Sequence, residues 1–150
     1  RLPAKYCIHA VGPIGESPEE LEAAYKSVLK LIDGTNIRSV GLCCISTGIY
    51  GYPIEPATHI AMKTVRDFLE DPENRKKVDR IIFVVYQNRD IRVHYRLVDA
   101  YFPFKKDLKL QEAVSQLPEY PPEEGQTEPQ DDQAEDPAAQ PHEKQDPEQN

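Results

Sequence analysis

The sequence predicts an α/β fold on a mostly parallel sheet, followed by an acidic tail. Three observations carry this. Apolar runs at 6–11, 39–45 and 80–86 read as buried strands, and the second does not alternate polar with apolar residues, which suits a strand covered on both faces. Helical periodicity fills the spaces between them, and strand–helix–strand order implies a parallel pair joined by a right-handed crossover. Near Lys106 the composition breaks. Residues 1–106 hold 16 basic and 13 acidic side chains and residues 107–150 hold 2 and 13, so the net charge of −8 belongs to the tail. Only about a hundred residues remain to build a core.

The elements follow in order. Tyr6-Cys7-Ile8-His9-Ala10-Val11 is a strand that ends at Gly12-Pro13, with His9 a side chain at the sheet end. Ser17-Pro18-Glu19-Glu20 is a helix start, with Ser17 as cap, Pro18 at the first position and Glu20 completing a capping box. Leu21, Ala24, Tyr25, Val28, Leu29 and Ile32 then form one apolar stripe, and Gly34 after Asp33 stops the helix. Tyr25 in that stripe reads as core.

The second strand, 39–45, leads into Ile45-Ser46-Thr47-Gly48-Ile49-Tyr50-Gly51-Tyr52-Pro53. A strand, a turn with two glycines and a helix start together make a generic anion site. Glycines let the backbone approach a ligand closely, successive amides form a positive concavity, and a helix start adds unpaired N–H groups. The hydroxyls of Ser46, Thr47 and Tyr50 can donate as well. This is not a Walker A sequence, because no Gly-Lys-Ser/Thr closes it, and it is not a dinucleotide fingerprint. The residues predict a pocket for phosphate or diphosphate, with a ribose or base along the aromatic side chains. A tight strand-to-helix turn without a ligand is the plainer alternative.

Glu55 to Leu69 forms the next helix, with Ala57, Ile60, Ala61, Thr64, Val65, Phe68 and Leu69 inward and His59, Lys63, Arg66 and Asp67 outward, so His59 reads as solvated. Pro72 and the charged run to Lys77 end it. The third strand, Arg80 to Tyr86, turns at Gln87-Asn88-Arg89-Asp90. Tyr86 thereby reaches the sheet edge of the glycine loop, either as the last core aromatic or as a platform for a purine. Ile91, Tyr95, Val98 and Phe102 make the last helix, ended by Pro103. Beyond Asp107 the chain is acidic and rich in Pro and Gln, a composition that stays disordered apart from a marginal helix through Leu108, Leu110, Val114 and Leu117.

Several function classes are excluded or disfavoured. No apolar stretch of about 20 residues is present for a membrane span. Cys7, Cys43 and Cys44 lack metal-ligand spacing and read as buried thiols of a reducing compartment, and the four histidines form no metal constellation. No His–Asp pair is spaced to activate Ser46 as a nucleophile. The chain opens on Arg1 and runs at once into a strand, so it reads as a piece that lacks an N-terminal part.

Four features now stand together: Leu2-Pro3-Ala4-Lys5-Tyr6-Cys7-Ile8-His9-Ala10-Val11-Gly12-Pro13, the helix with Tyr25, Ile45 through Pro53, and the strand ending at Tyr86. In this order and spacing they resemble the C-terminal part of a macrodomain of the MacroD type, over residues 1–104, with 105–150 as the disordered tail. The resemblance implies a three-layer α/β/α fold, here incomplete, that binds ADP-ribose. It implies hydrolytic removal of mono-ADP-ribose from acidic side chains and deacetylation of O-acetyl-ADP-ribose, with no metal or cofactor. Modified nucleic acid is a further substrate of related enzymes, and the setting implied is nuclear or cytoplasmic. By position, Ile45, Ser46, Thr47, Gly48, Ile49, Tyr50 and Gly51 line the diphosphate and distal ribose, Tyr50 packs on that ribose, and Tyr86 stacks on adenine.

The resemblance also names what this sequence lacks. The Asn-Ala-Ala-Asn segment, the glycine-rich loop with its acidic residue and the acidic residue that reads the adenine amino group all lie upstream of the matched region. No catalytic residue is therefore assigned to this chain, which is expected to be inactive alone. Two alternatives stand beside the hydrolase reading: a module that reads ADP-ribose without turnover, and a product that acts on proteins through its acidic tail.

Overall fold

The structure, a computed structural model, describes residues 2–32, 35–103 and 108–118. Among them the elements run α1 (Pro18–Lys30), β1 (Ser39–Cys43), α2 (Ile54–Glu70), α3 (Pro72–Lys77), β2 (Arg80–Val84), α4 (Asn88–Tyr101) and α5 (Leu108–Ser115). The expected helix stop at Asp33-Gly34, the boundary at 104 and the acidic tail beyond residue 118 lie outside the described residues.

β1 and β2 pair in parallel, Ser39 opposite Arg80 and Cys43 opposite Val84. This register puts Val40, Leu42, Ile81 and Phe83 on one face, where they join the core. The stripe of α1 is buried as the spacing predicts, from Leu21 through Ile32, and so are Ala57, Ala61, Thr64 and Val65 of α2. Thr58 and Met62 of α2 are buried as well. Phe83 meets His94 and Phe102 at ring centroid distances of 6.0 and 6.3 Å, which brings α4 onto the same face. The sheet is thus backed by helices on one side, and its other face, carrying Gly41, Cys43, Ile82 and Val84, is open among the described residues. No helix of the described residues is long and apolar enough to cross a membrane.

The strands differ from expectation in three ways. Residues 6–11 form no strand, with Tyr6 and Val11 exposed and only Ile8 packed on the core. A strand exists through its hydrogen-bonded neighbour, and no described segment lies alongside to pair with this one. β1 buries one face, not two, and ends at Cys43 instead of Ile45. The Tyr25 hydroxyl takes over its last ladder groups, donating to the Cys43 carbonyl at 3.0 Å and accepting from the Ile45 N–H at 3.1 Å. β2 is likewise half-covered and ends at Val84. Cys7 and Cys43 are therefore exposed and Cys44 half-buried, not core thiols.

The helices bring smaller corrections. The Ser17 side chain makes no capping bond, so there is no capping box; its carbonyl accepts from the Leu21 N–H at 3.0 Å instead. The charged run after Glu70 is itself a short helix, capped by the Asp71 carboxylate on the Glu73 N–H at 2.8 Å. His59 is half-buried, with Nδ1 2.7 Å from the Tyr101 hydroxyl. Arg66 is tied to α4 too, donating to the Tyr101 carbonyl at 2.9 Å. The expected helix through Leu110 and Val114 forms as α5 and packs on α4.

Candidate functional site

The loop between β1 and α2 has its carbonyls and its amides in opposite situations. The Ser46 carbonyl accepts from Tyr52 N–H at 3.0 Å, the Gly48 carbonyl from Gly51 N–H at 3.0 Å and the Tyr50 carbonyl from Gly15 N–H at 2.7 Å. The Thr47 carbonyl accepts from Arg89 Nη2 at 3.4 Å. By contrast, the N–H groups of Ser46, Gly48, Ile49 and Tyr50 have no partner among the described residues, while the Thr47 N–H closes the turn over Ile45 and Ser46 on the Cys44 carbonyl. In a trans peptide the C=O and the following N–H point in opposite directions. Holding the carbonyls at 47 and 48 therefore turns the amides at 48 and 49 the other way. A run of outward amides with inward carbonyls is a concavity for an anion.

Local backbone chemistry makes this turn possible. Ser46 sits at φ 66° and Gly51 at φ 69°, both in the left-handed region. The second is at ease there only because it is glycine. Ser46 has no such freedom, and its hydroxyl is buried with no partner among the described residues. Left-handed non-glycine residues that persist cluster at functional sites. Gly12 lies directly against this residue. A Cβ on Gly12 would clash with Ser46 Oγ and Ile45 Cγ2, so a side chain there must displace them.

Ile45 and Thr47 are buried under the loop, while Gly48 and Ile49 stand in solvent. The Thr47 hydroxyl is engaged beneath, donating to the Cys44 carbonyl at 3.4 Å, so it is not the outward donor that the sequence suggested. Tyr50 is partly exposed at the rim, and Tyr52 anchors the loop from inside the core. α2 starts directly after Pro53 with no side-chain cap. The structure therefore brings Ile45 to Gly51 together in the loop between β1 and α2. Tyr86 lies two residues past Val84 at the same sheet end and is 92% exposed, which settles it as a surface ring and not the last core aromatic. His9 is exposed on the unpaired segment.

Beneath the loop is a group of polar residues that the sequence reading did not single out. Asp90 is buried in the first turn of α4, and its Oδ1 lies 3.3 Å from Arg89 Nε. His94 Nδ1 donates to the Asp90 carbonyl at 2.8 Å. Burial, and then the charge of Asp90, pushes the Cys44 thiol up to about 11, so it is no nucleophile at neutral pH. Burial also raises the Tyr25 phenol far above its ordinary value, which keeps it a neutral hydrogen-bonding latch. Among the described residues no group of His, Cys, Asp and Glu is placed to hold a metal ion. Gly12 was visible in the sequence as the end of the first apolar run, but its contact with the loop was not. The hydrogen bonds of Tyr25 and Arg89 gave no signal, because their partners are main-chain atoms 18 and 42 residues away.

The Macro domain family model matches residues 1–61. The chain is similar to the human (Homo sapiens) ADP-ribose glycohydrolase MACROD2, at 48% identity over 107 residues that cover 67% of this chain and 25% of that protein. It is similar to an O-acetyl-ADP-ribose deacetylase of Klebsiella pneumoniae, at 38% identity over 105 residues covering 67% of this chain and 58% of that one. Its fold is similar to that of a Trypanosoma brucei macrodomain solved in complex with ADP-ribose, with TM-score 0.62 and 43% identity over 65% of this chain and 41% of that chain. The chain thus spans about a quarter of the MACROD2 relative.

Proposed function

Since the chain belongs to the Macro domain family through residues 1–61, we propose that the loop at 45–51 binds the diphosphate of ADP-ribose. The observation that carries this is the run of three amides, Gly48 to Tyr50, unpartnered among the described residues while the carbonyls of Ser46, Thr47, Gly48 and Tyr50 are held. Each amide donated to a charged oxygen contributes roughly 1.5–3 kcal/mol. In this reading Tyr50 packs on the distal ribose and Tyr86 offers its face to adenine. A tyrosine keeps the stacking surface and leaves its hydroxyl in water.

The activity proposed for the polypeptide that carries this loop is hydrolytic removal of ADP-ribose from acidic side chains, with O-acetyl-ADP-ribose as a second substrate. In support, one similar protein is named an ADP-ribose glycohydrolase and another an O-acetyl-ADP-ribose deacetylase. Water attacks the anomeric carbon, its C–O bond to the acceptor breaks, the acceptor leaves as carboxylate and the proton of water is released. The loop contributes by fixing the ribose through its phosphates, a positioning and electrostatic role. The loop itself, Ile45 to Gly51, has no acid or base among its side chains. The described site is a binding site, and ADP-ribosylated proteins are its proposed partners, with modified nucleic acid as a second class.

Calorimetric titration of the 150-residue chain with ADP-ribose tests the reading, with Gly48→Val as the informative variant. A Cβ on Gly48 meets nothing within 4 Å, so the fold should tolerate it with a stability change within about 0.5 kcal/mol. It would nevertheless crowd the mouth of the amide concavity, and binding should weaken at least about tenfold, the loss of one charged hydrogen bond. Equal affinity in both proteins would show that the ligand sits elsewhere.

A further inference from the structure

We propose that Arg89 is a positioning residue that sets the direction of the Gly48 N–H, and so the affinity of the loop for a diphosphate. The proposal rests on the diphosphate reading for its ligand but not for its geometry. Of the three successive carbonyls at 46, 47 and 48, those of Ser46 and Gly48 are held by backbone N–H groups of Tyr52 and Gly51 in the same loop. Thr47 is held by a side chain, the guanidinium of Arg89 at 3.4 Å, which is at the long end of hydrogen-bond distances. Because the Thr47–Gly48 peptide is planar, fixing its carbonyl on the Arg89 side fixes the Gly48 N–H on the opposite side. This first amide of the run is the one whose orientation depends on a residue 42 positions further along the chain.

The placement of Arg89 supports a specific task. It is the second residue of α4, where the helix dipole disfavours a cation. Its side chain is only 22% exposed, a costly position for a charge without compensation. The Asp90 carboxylate, 3.3 Å away and itself buried, offsets that cost as an ion pair. A residue that breaks the local preference of its helix, and needs a buried partner to do so, marks a place where local and functional demands diverge. Arg89 also joins the turn after β2 to the loop after β1, so the two sheet-end segments are fixed relative to each other by one side chain. A lysine keeps the charge but lacks the planar fork that spans Asp90 and Thr47 together.

The test uses the 150-residue chain with Arg89→Met and Arg89→Lys and two readouts. The first needs no ligand: the heteronuclear NOE of the Gly48 amide, with the Ala61 amide of α2 as reference. In the unaltered chain Gly48 should be as ordered as Ala61. In both variants it should fall to the values of a loose loop while Ala61 stays put. The second is the dissociation constant for ADP-ribose at low and high salt. Both variants should bind about tenfold more weakly, the loss of one charged hydrogen bond, and the Lys variant should keep the salt dependence of the original. If Arg89→Met fails to give a helical spectrum, Arg89→Lys carries the test. Gly48 remaining ordered in the folded variants overturns the proposal, whatever the affinity does. A loosened Gly48 in a chain that never binds ADP-ribose upholds the positioning and removes the diphosphate reading instead.

Discussion

At the scale of single residues, the site is built by groups that never face a ligand. Tyr25 is the clearest case. It lies in the apolar stripe of α1, is 2% exposed, and uses its hydroxyl to end β1 and begin the loop. Tyr25→Phe keeps the ring and removes only that oxygen. The Ile45 N–H then loses its acceptor in a buried setting, which costs about 1–3 kcal/mol. Thermal denaturation followed by circular dichroism should show a midpoint lower by several degrees, since each kcal/mol moves a domain of this size by about 4–8 °C. An unchanged midpoint would mean that the loop start is held by packing alone. The sequence placed Tyr25 correctly in the core by its spacing. It could not show the hydroxyl's partners, because a side-chain bond to backbone atoms leaves no periodic trace. Gly12 was opaque for the same reason: a glycine in a turn and a glycine under steric pressure from Ser46 look alike in one dimension.

At the scale of elements, helices were legible and strands only partly. The stripes of α1 and α2 are set by residues within the helix itself, so periodicity finds them. Strand limits depend on neighbours, so residues 6–11 read as a strand and are not paired, and β1 and β2 both end before their apolar runs do. The loop after β1 was found because it is contiguous, whereas the Asp90–His94 turn beneath it was hidden inside α4. That turn makes a pH prediction. His94 lies against Phe83 and donates from Nδ1 to the Asp90 carbonyl. Burial holds its pKa below the ordinary 6.5, against the opposing effect of that bond. The unfolded chain therefore takes up a proton first as pH falls below about 6.5, and stability declines until the folded value is passed. Urea unfolding at pH 7.5 and 5.5 should show this loss, and His94→Phe should reduce it. If the two proteins fall in parallel, the acid sensitivity belongs to other groups.

At the scale of the whole molecule, the core is one-sided. Helices α1, α2 and α4 cover one face of two strands, and the other face presents Ile82 at 44% exposure and Val84 at 54%. A two-stranded sheet is marginal without further strands or a cover on its apolar side. Exposed strand edges also offer main-chain groups to a second chain. The 150-residue chain on its own should therefore melt broadly and associate as its concentration rises. Val84→Lys separates the two causes. Val84 belongs to the open face, so the change leaves the core contacts of Ile81 and Phe83 in place and adds a charge that opposes edge pairing. Sedimentation velocity should show the original chain shifting to larger species with concentration and the variant remaining monomeric, while both keep the same helical spectrum. ADP-ribose should sharpen and raise the transition of either protein, by about 2.7 kcal/mol at a hundred times its dissociation constant, because it binds only the folded loop. A narrow transition from a monomeric original chain, independent of concentration and of Val84→Lys, would show that α1, α2 and α4 stabilise the sheet sufficiently from one side.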